Sequence, residues 1–131
     1  MNDIQINKTF STNISFTQAD INKFAEISGD KNPIHIDLEY AAKSRFGKTI
    51  AHGMLVYSVI SEYLNKEFPK GKQLSQELAF LSPVYTEEEL FLMQQITTIK
   101  TEEQIVEVKT SVTKTDGTLA CQSLTLLKLS N

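Results

Sequence analysis

The chain has 131 residues, 40% of them hydrophobic and 22% charged, with a formal net charge of -3. That is enough chain for one buried core and the makeup of an ordinary globular domain, while the scattered, outnumbered lysines and arginines offer no stripe to neutralise a nucleic-acid backbone. The single cysteine, Cys121, excludes an internal disulfide; no apolar run is long enough to cross a bilayer, and Met1-Asn2-Asp3-Ile4-Gln5 lacks the basic and apolar stretches of a leader, so the expectation is a cytoplasmic, membrane-free protein.

In chain order, a weak strand is expected from Phe10 to Phe16. A helix then begins at Thr17, whose hydroxyl caps free N–H groups while Asp20 reaches back in a box-like cap. Ile21, Phe24, Ala25 and Ile27 supply its apolar face, and Gly29 stops it in a left-handed conformation. Asn32-Pro33 reads as a break, because the residue before proline avoids helical geometry. A short helix is expected over Leu38 to Ser44 and a longer one over Gly53 to Asn65. In the latter, Met54, Leu55, Val56, Val59, Ile60 and Leu64 cover most of the circumference, which predicts burial; Ser58, Ser61, Glu62 and Asn65 form its only polar stripe.

Beyond Lys72 the pattern becomes that of strands. Val106, Val108, Thr110 and Val112 alternate with polar residues at the period of a sheet with one face buried. Thr115-Asp116-Gly117 is a turn, and Leu119 to Leu129 is the return strand of a hairpin. Weaker strands are expected over Gln76 to Leu81 and Leu90 to Ile99. An antiparallel sheet with one strongly apolar helix packs most simply by curling around that helix, the α+β arrangement called a hot-dog fold.

Two segments carry chemistry. Asp30, Asn32, Pro33 and His35 lie together after the helix-ending Gly29, presenting a carboxylate and an imidazole on a proline-restricted connection, and such a pair facing one water moves protons in both directions near neutral pH. Ala51-His52-Gly53 opens the apolar helix, where free N–H groups and the positive dipole end stabilise a developing oxyanion and glycine admits a close-lying ligand.

The runs Ser28-Gly29-Asp30-Lys31-Asn32-Pro33-Ile34-His35, Ala51-His52-Gly53-Met54 and Leu78-Ala79-Phe80-Leu81-Ser82-Pro83-Val84 closely resemble the MaoC-like dehydratases, and within them the (R)-specific enoyl-CoA hydratases. The resemblance covers nearly the whole chain and implies a single MaoC-like hot-dog domain over 1-131 that forms a homodimer. It implies hydration of a 2-enoyl thioester in fatty acid metabolism with no cofactor beyond the coenzyme A of the substrate, Asp30 and His35 as the catalytic pair, and the Gly53 N–H as oxyanion donor. Asn32 is expected in substrate binding or structural support. Tyr57, Ser61 and Leu64, which share a helical face with Gly53, are candidates for an acyl-tunnel lining, Ser61 also for holding local structure or a water.

His52 reads as structural, orienting the turn before the helix, and Cys121 as a small core residue. Ser61 has the alternative of bonding back to the Tyr57 carbonyl. Glu87-Glu88-Glu89 reads as a solvated turn. Asp30, His35, His52 and Asp37 can be drawn as a metal site, but their spacing matches no zinc or iron pattern, and the hydratase chemistry needs no metal. Lys43, Arg45, Lys48, Lys66, Lys70 and Lys72 are candidates for carrier phosphates by charge alone. The alternatives are (R)-3-hydroxyacyl-acyl carrier protein dehydration, a thioesterase and a non-catalytic acyl-thioester-binding module.

Overall fold

The computed structural model describes residues 4–129. Strands β1 (Thr9–Ile14), β2 (Lys72–Phe80), β3 (Leu90–Lys100), β4 (Ile105–Lys114) and β5 (Leu119–Lys128) form one antiparallel sheet in the order β1-β3-β4-β5-β2. Helices α1 (Gln18–Ser28), α2 (Pro33–Ile36), α3 (Leu38–Ala42) and α4 (Gly53–Glu67) all fall between β1 and β2.

The period-two pattern decides which face of the sheet is covered. Val106, Val108, Thr110 and Val112 of β4, and Cys121, Ser123, Thr125 and Leu127 of β5, are all buried. The register sets Val108 opposite Thr125 and Val112 opposite Cys121, so the two rows line one inner face. Val56, Ile60 and Leu64 of α4 join that same apolar cluster with Leu90, Leu92 and Ile96 of β3. Burying each of these helix side chains contributes about 1.5–3 kcal/mol by area, so the α4–sheet contact is a substantial source of stability.

Local chemistry sets the helix ends. Thr17 and Asp20 form a capping box, and Gly29 closes α1 with φ 80. The break expected at Asn32-Pro33 is present, with Asn32 non-helical at ψ 129, and it also opens a new helical turn: Asn32 is the cap of α2, its Oδ1 accepting from Ile34 N, and Pro33 takes the first helical position, where its missing N–H costs nothing. The Asp37 carboxylate caps α3, which ends at Ala42 rather than Ser44.

Two burial expectations need correction. Ile27 is 77% exposed, because it lies well around the α1 axis from the buried Ile21 and Ala25. Met54 is 52% exposed, because α4 presses only the Val56-Ile60-Leu64 face on the sheet and Leu55 and Val59 are half-buried. The helix also continues to Glu67, past the expected end at Asn65. Strand ends differ by a few residues, most at β2, which begins at Lys72 rather than Gln76. The glutamate run is not uniformly solvated: Glu88 accepts from Tyr85 N and pairs with Lys114 Nζ at 3.3 Å. Among the described residues, no helix is long and apolar enough to cross a membrane.

Candidate active site

The three segments that carry the resemblance meet where α1, α2 and α4 end or begin. The Asp30 backbone N–H donates to Ser28 Oγ, and Asp30 Oδ1 accepts from Asn32 N at 3.3 Å, which leaves Oδ2 turned toward the next turn of chain. There His35, the third residue of α2, presents Nε2 at 3.9 Å from Asp30 Oδ2. This is too long for a direct hydrogen bond, but a water about 2.8 Å from each atom fits the separation.

The state of the His35 ring follows from its other nitrogen. Nδ1 lies 2.8 Å from the Ile50 carbonyl, which can only accept, so Nδ1 carries hydrogen and the neutral ring keeps its lone pair on Nε2, facing Asp30. The turn bearing His35 is anchored from α1, where Gln18 Nε2 donates to the His35 carbonyl at 2.8 Å and Gln18 Oε1 accepts from Thr49 and Thr86 hydroxyls. Asp30 is the more open partner, its side chain 54% exposed against 11% for His35.

A backbone strap brings α4 to the pair. Ala51 N donates to the Val84 carbonyl, and Ile50 and Tyr85 form an isolated antiparallel bridge, while Lys114 Nζ holds the neighbouring Pro83 carbonyl. His52 occupies the cap position of α4, yet its side chain makes no cap hydrogen bond. The first-turn N–H groups of Gly53 and Met54 therefore find no acceptor in that side chain, which leaves a positive helix end facing the site. Gly53 also permits close packing: a Cβ there would come within 3.0 Å of the Phe80 ring. A cavity of about 320 Å³ opens beside these groups, its wall including His35, Arg45, Gly53, Val56, Phe80 and Cys121. The Cys121 thiol is itself buried, and burial pushes its pKa up to about 11.

Comparison with known proteins decides the family. The profile of the MaoC like domain matches residues 2–118. The chain belongs to the MaoC-like family. The (R)-specific enoyl-CoA hydratase of Aeromonas caviae is 34% identical over 116 residues, 87% of this chain and 87% of that one. The mitochondrial 3-hydroxyacyl-[acyl-carrier-protein] dehydratase of Arabidopsis thaliana is 39% identical over 92 residues, 70% of this chain but 55% of that protein, so this chain spans about half of that relative's length. Among solved structures, the (R)-hydratase from A. caviae superposes with a TM-score of 0.93 at 28% identity, covering 98% of this chain and 99% of that one. The fold is the hot-dog fold of MaoC-like hydratases.

Within this MaoC-like frame, Asp30, His35 and the start of α4 at Gly53 come together, and Asn32 sits just behind them as the α2 cap. The remaining candidates lie farther along α4. Tyr57 Oη donates to Gln73 Oε1, Gln73 Nε2 donates to Ser61 Oγ at 2.9 Å, and Gln76 and Thr125 extend the chain of bonds into the sheet. Ser61 thus bonds to Gln73; it is Ser58 that turns back on its own helix, to the Leu55 carbonyl. Leu64 is fully buried in the core cluster.

Asp30, His35 and His52 offer ligand atoms within 4.8 Å of one another, whereas Asp37 is used as a helix cap. The two imidazole planes are stacked, with centroids 3.8 Å apart and an interplanar angle of 24°. In-plane lone pairs of near-parallel rings run side by side, so an ion shared by both would sit out of at least one ring plane, a poor match to histidine coordination. Gln18, Thr49, Thr86 and Gln73 escaped sequence reasoning, since isolated polar residues carry no periodic or motif signal; only their long-range bonds reveal them.

Proposed function

We propose that the chain catalyses the reversible addition of water to a trans-2-enoyl thioester, giving the (R)-3-hydroxyacyl thioester, in fatty acid metabolism. The observation that carries this reading is the 3.9 Å separation of Asp30 Oδ2 and His35 Nε2 beside the uncapped start of α4 at Gly53. One water held between the two side chains attacks Cβ while the pair takes its proton. The electron pair of the C=C bond moves toward the thioester carbonyl, whose oxygen gains negative charge and accepts from the Gly53 N–H. Return of a proton to Cα completes the addition, with no redox change and no cofactor. Asp30 and His35 act as a coupled pair, so the proton belongs to the pair rather than to one residue.

The relatives' names describe the two directions of this one reaction, on coenzyme A for the hydratase and on acyl carrier protein for the dehydratase. Coenzyme A is the carrier proposed here. Arg45 supports it, a cation on the cavity wall that lies over the Phe46 ring and is not in any acid pair among the described residues. A homodimer is proposed with it, supported by the exposed apolar side chains of Phe80 and Leu81 on the cavity wall and of Met54 in the first turn of α4, and a cytoplasmic location is proposed as well.

The test is the ultraviolet absorbance of crotonyl-CoA with wild type and the Asp30→Asn and His35→Ala variants, followed by chiral analysis of the product. Wild-type loss of the enoyl band with (R)-3-hydroxybutyryl-CoA formed is the expected result. Activity only on crotonyl-acyl carrier protein transfers the assignment to the dehydratase, and silence on both carriers leaves an acyl-binding module.

A further inference from the structure

We infer that His52 is a positioning residue, a neutral imidazole that ties the Asp30 loop to the start of α4 and backs the His35 ring. The inference rests on the hydratase reading above. His52 stands where a helix cap belongs but does not cap; its ring instead crosses the site, with Nε2 2.9 Å from the Asp30 carbonyl. A carbonyl only accepts, so Nε2 carries the hydrogen and Nδ1 keeps the lone pair.

That is the loop's one distant hydrogen bond among the described residues. Among the described residues, the other hydrogen bonds of residues 29–33 stay within five residues: Gly29 to Ala25, Asp30 to Ser28, Asn32 to Asp30, His35 to Asn32, Ile34 to Asn32 and Asp37 to Pro33. The same ring lies flat on His35 at 3.8 Å and tilts against Phe24 at 4.9 Å, so two neighbouring rings pack against it. One side chain therefore fixes both partners of the pair, Asp30 through its backbone and His35 through its ring.

The ring is also kept uncharged. His52 is 3% exposed and its Nδ1 is buried without a hydrogen-bond partner, so a proton there would add a charge and an unsatisfied donor in one step. Burial, seconded by the facing His35, holds its pKa below the ordinary 6.5, against the opposing pull of the Asp30 carbonyl and carboxylate. Among the described residues, the titratable side chains that bear on it are His35, which lowers its pKa, and Asp30, which raises it. A neutral ring can lie against His35 while His35 gains and loses a proton; a charged one would repel it.

The experiment pairs kinetics with imidazole nitrogen NMR of nitrogen-15-labelled protein, in which the signals of the 2 histidines are assigned by comparison with the His35→Ala variant. His52→Gln keeps a donor near the Nε2 position, His52→Phe keeps the stacked ring, and His52→Ala keeps neither. For crotonyl-CoA, His52→Ala is expected to lose about 100-fold in kcat with KM within about threefold, the size of loss that misplacing reacting groups by an ångström produces. His52→Gln is expected to recover at least about tenfold of this, and wild-type His52 to show the neutral Nε2–H form at pH 7. The inference is overturned by a Gln variant no better than Ala, by an Ala variant within threefold of wild type, or by an Nδ1–H or cationic His52 at pH 7. If the Ala variant does not fold, the Gln and Phe variants and the tautomer decide. A wild type inactive on every thioester instead overturns the hydratase reading, and the spectra then report separately on the tether.

Discussion

At its N-terminal end α4 meets polar loops: a half-exposed Asp30, an uncapped first turn and a cavity open to water. From Ile60 onward the same helix lies on a sheet face whose Val106, Val108 and Leu127 are 1% exposed or less. The first region is held by a few directional bonds, the second by many weak apolar contacts. A helix long enough to reach both lets the core supply rigidity to a site that buries too little to be rigid by itself.

Substitutions at the two ends should therefore separate activity from stability. Asp30→Asn is expected to lower kcat/KM by about 10²–10⁴-fold, the usual worth of a proton-transfer group, while the melting temperature moves by only a few degrees because the side chain is exposed; a melting loss that tracks the activity loss would erase the distinction. Ile60→Ala, at the fully buried end, should cost about 2–5 kcal/mol in urea unfolding with kcat nearly unchanged in the protein that remains folded. Thr17→Ala removes the cap of α1, the helix that carries Gln18 to the His35 carbonyl. It should cost about 1 kcal/mol, and a much larger change would mean that the cap supports the site as well as the helix.

The smallest effect expected is on pH. Because the folded His52 binds its proton less readily than the unfolded one, whose ordinary value is 6.5, the unfolded state gains protons first as pH falls. Stability is then fully present above that value and declines as pH drops through it toward the lowered folded value. Denaturant melts of wild type and His52→Gln from pH 7.5 to 5.5 check the sign, since the variant should lack this part of the slope.

Much of this was legible from residue order. The Thr17 box, the Gly29 stop, the alternation in β4 and the Asp30-to-His35 spacing each depend on neighbours a few residues apart, and each appears in the structure. Pro33 marked the break after α1 but did not announce the short helix it opens, since proline both follows one helix and starts another and only Asn32 ahead of it distinguishes the cases. Met54 and Ile27 were misplaced because apolar composition does not say which arc of a helix finds a partner. The Gln18 and Gln73 bonds join residues 17 and 12 positions apart, distances at which no local pattern operates.

Cys121 gives the cavity wall a practical property. A cysteine that is 1% exposed, with its thiol pushed up to about 11, carries almost no thiolate at neutral pH. The protein should therefore be silent toward a chromogenic disulfide reagent, and maleimide should leave it unlabelled until it unfolds. Colour appearing when the reagent and an acyl thioester are present together then belongs to carrier thiol released by hydrolysis. Because hydration leaves the C–S bond intact, one cuvette read at two wavelengths counts bonds to sulfur broken and double bonds consumed, so a thioesterase and a hydratase would write different ratios in the same trace.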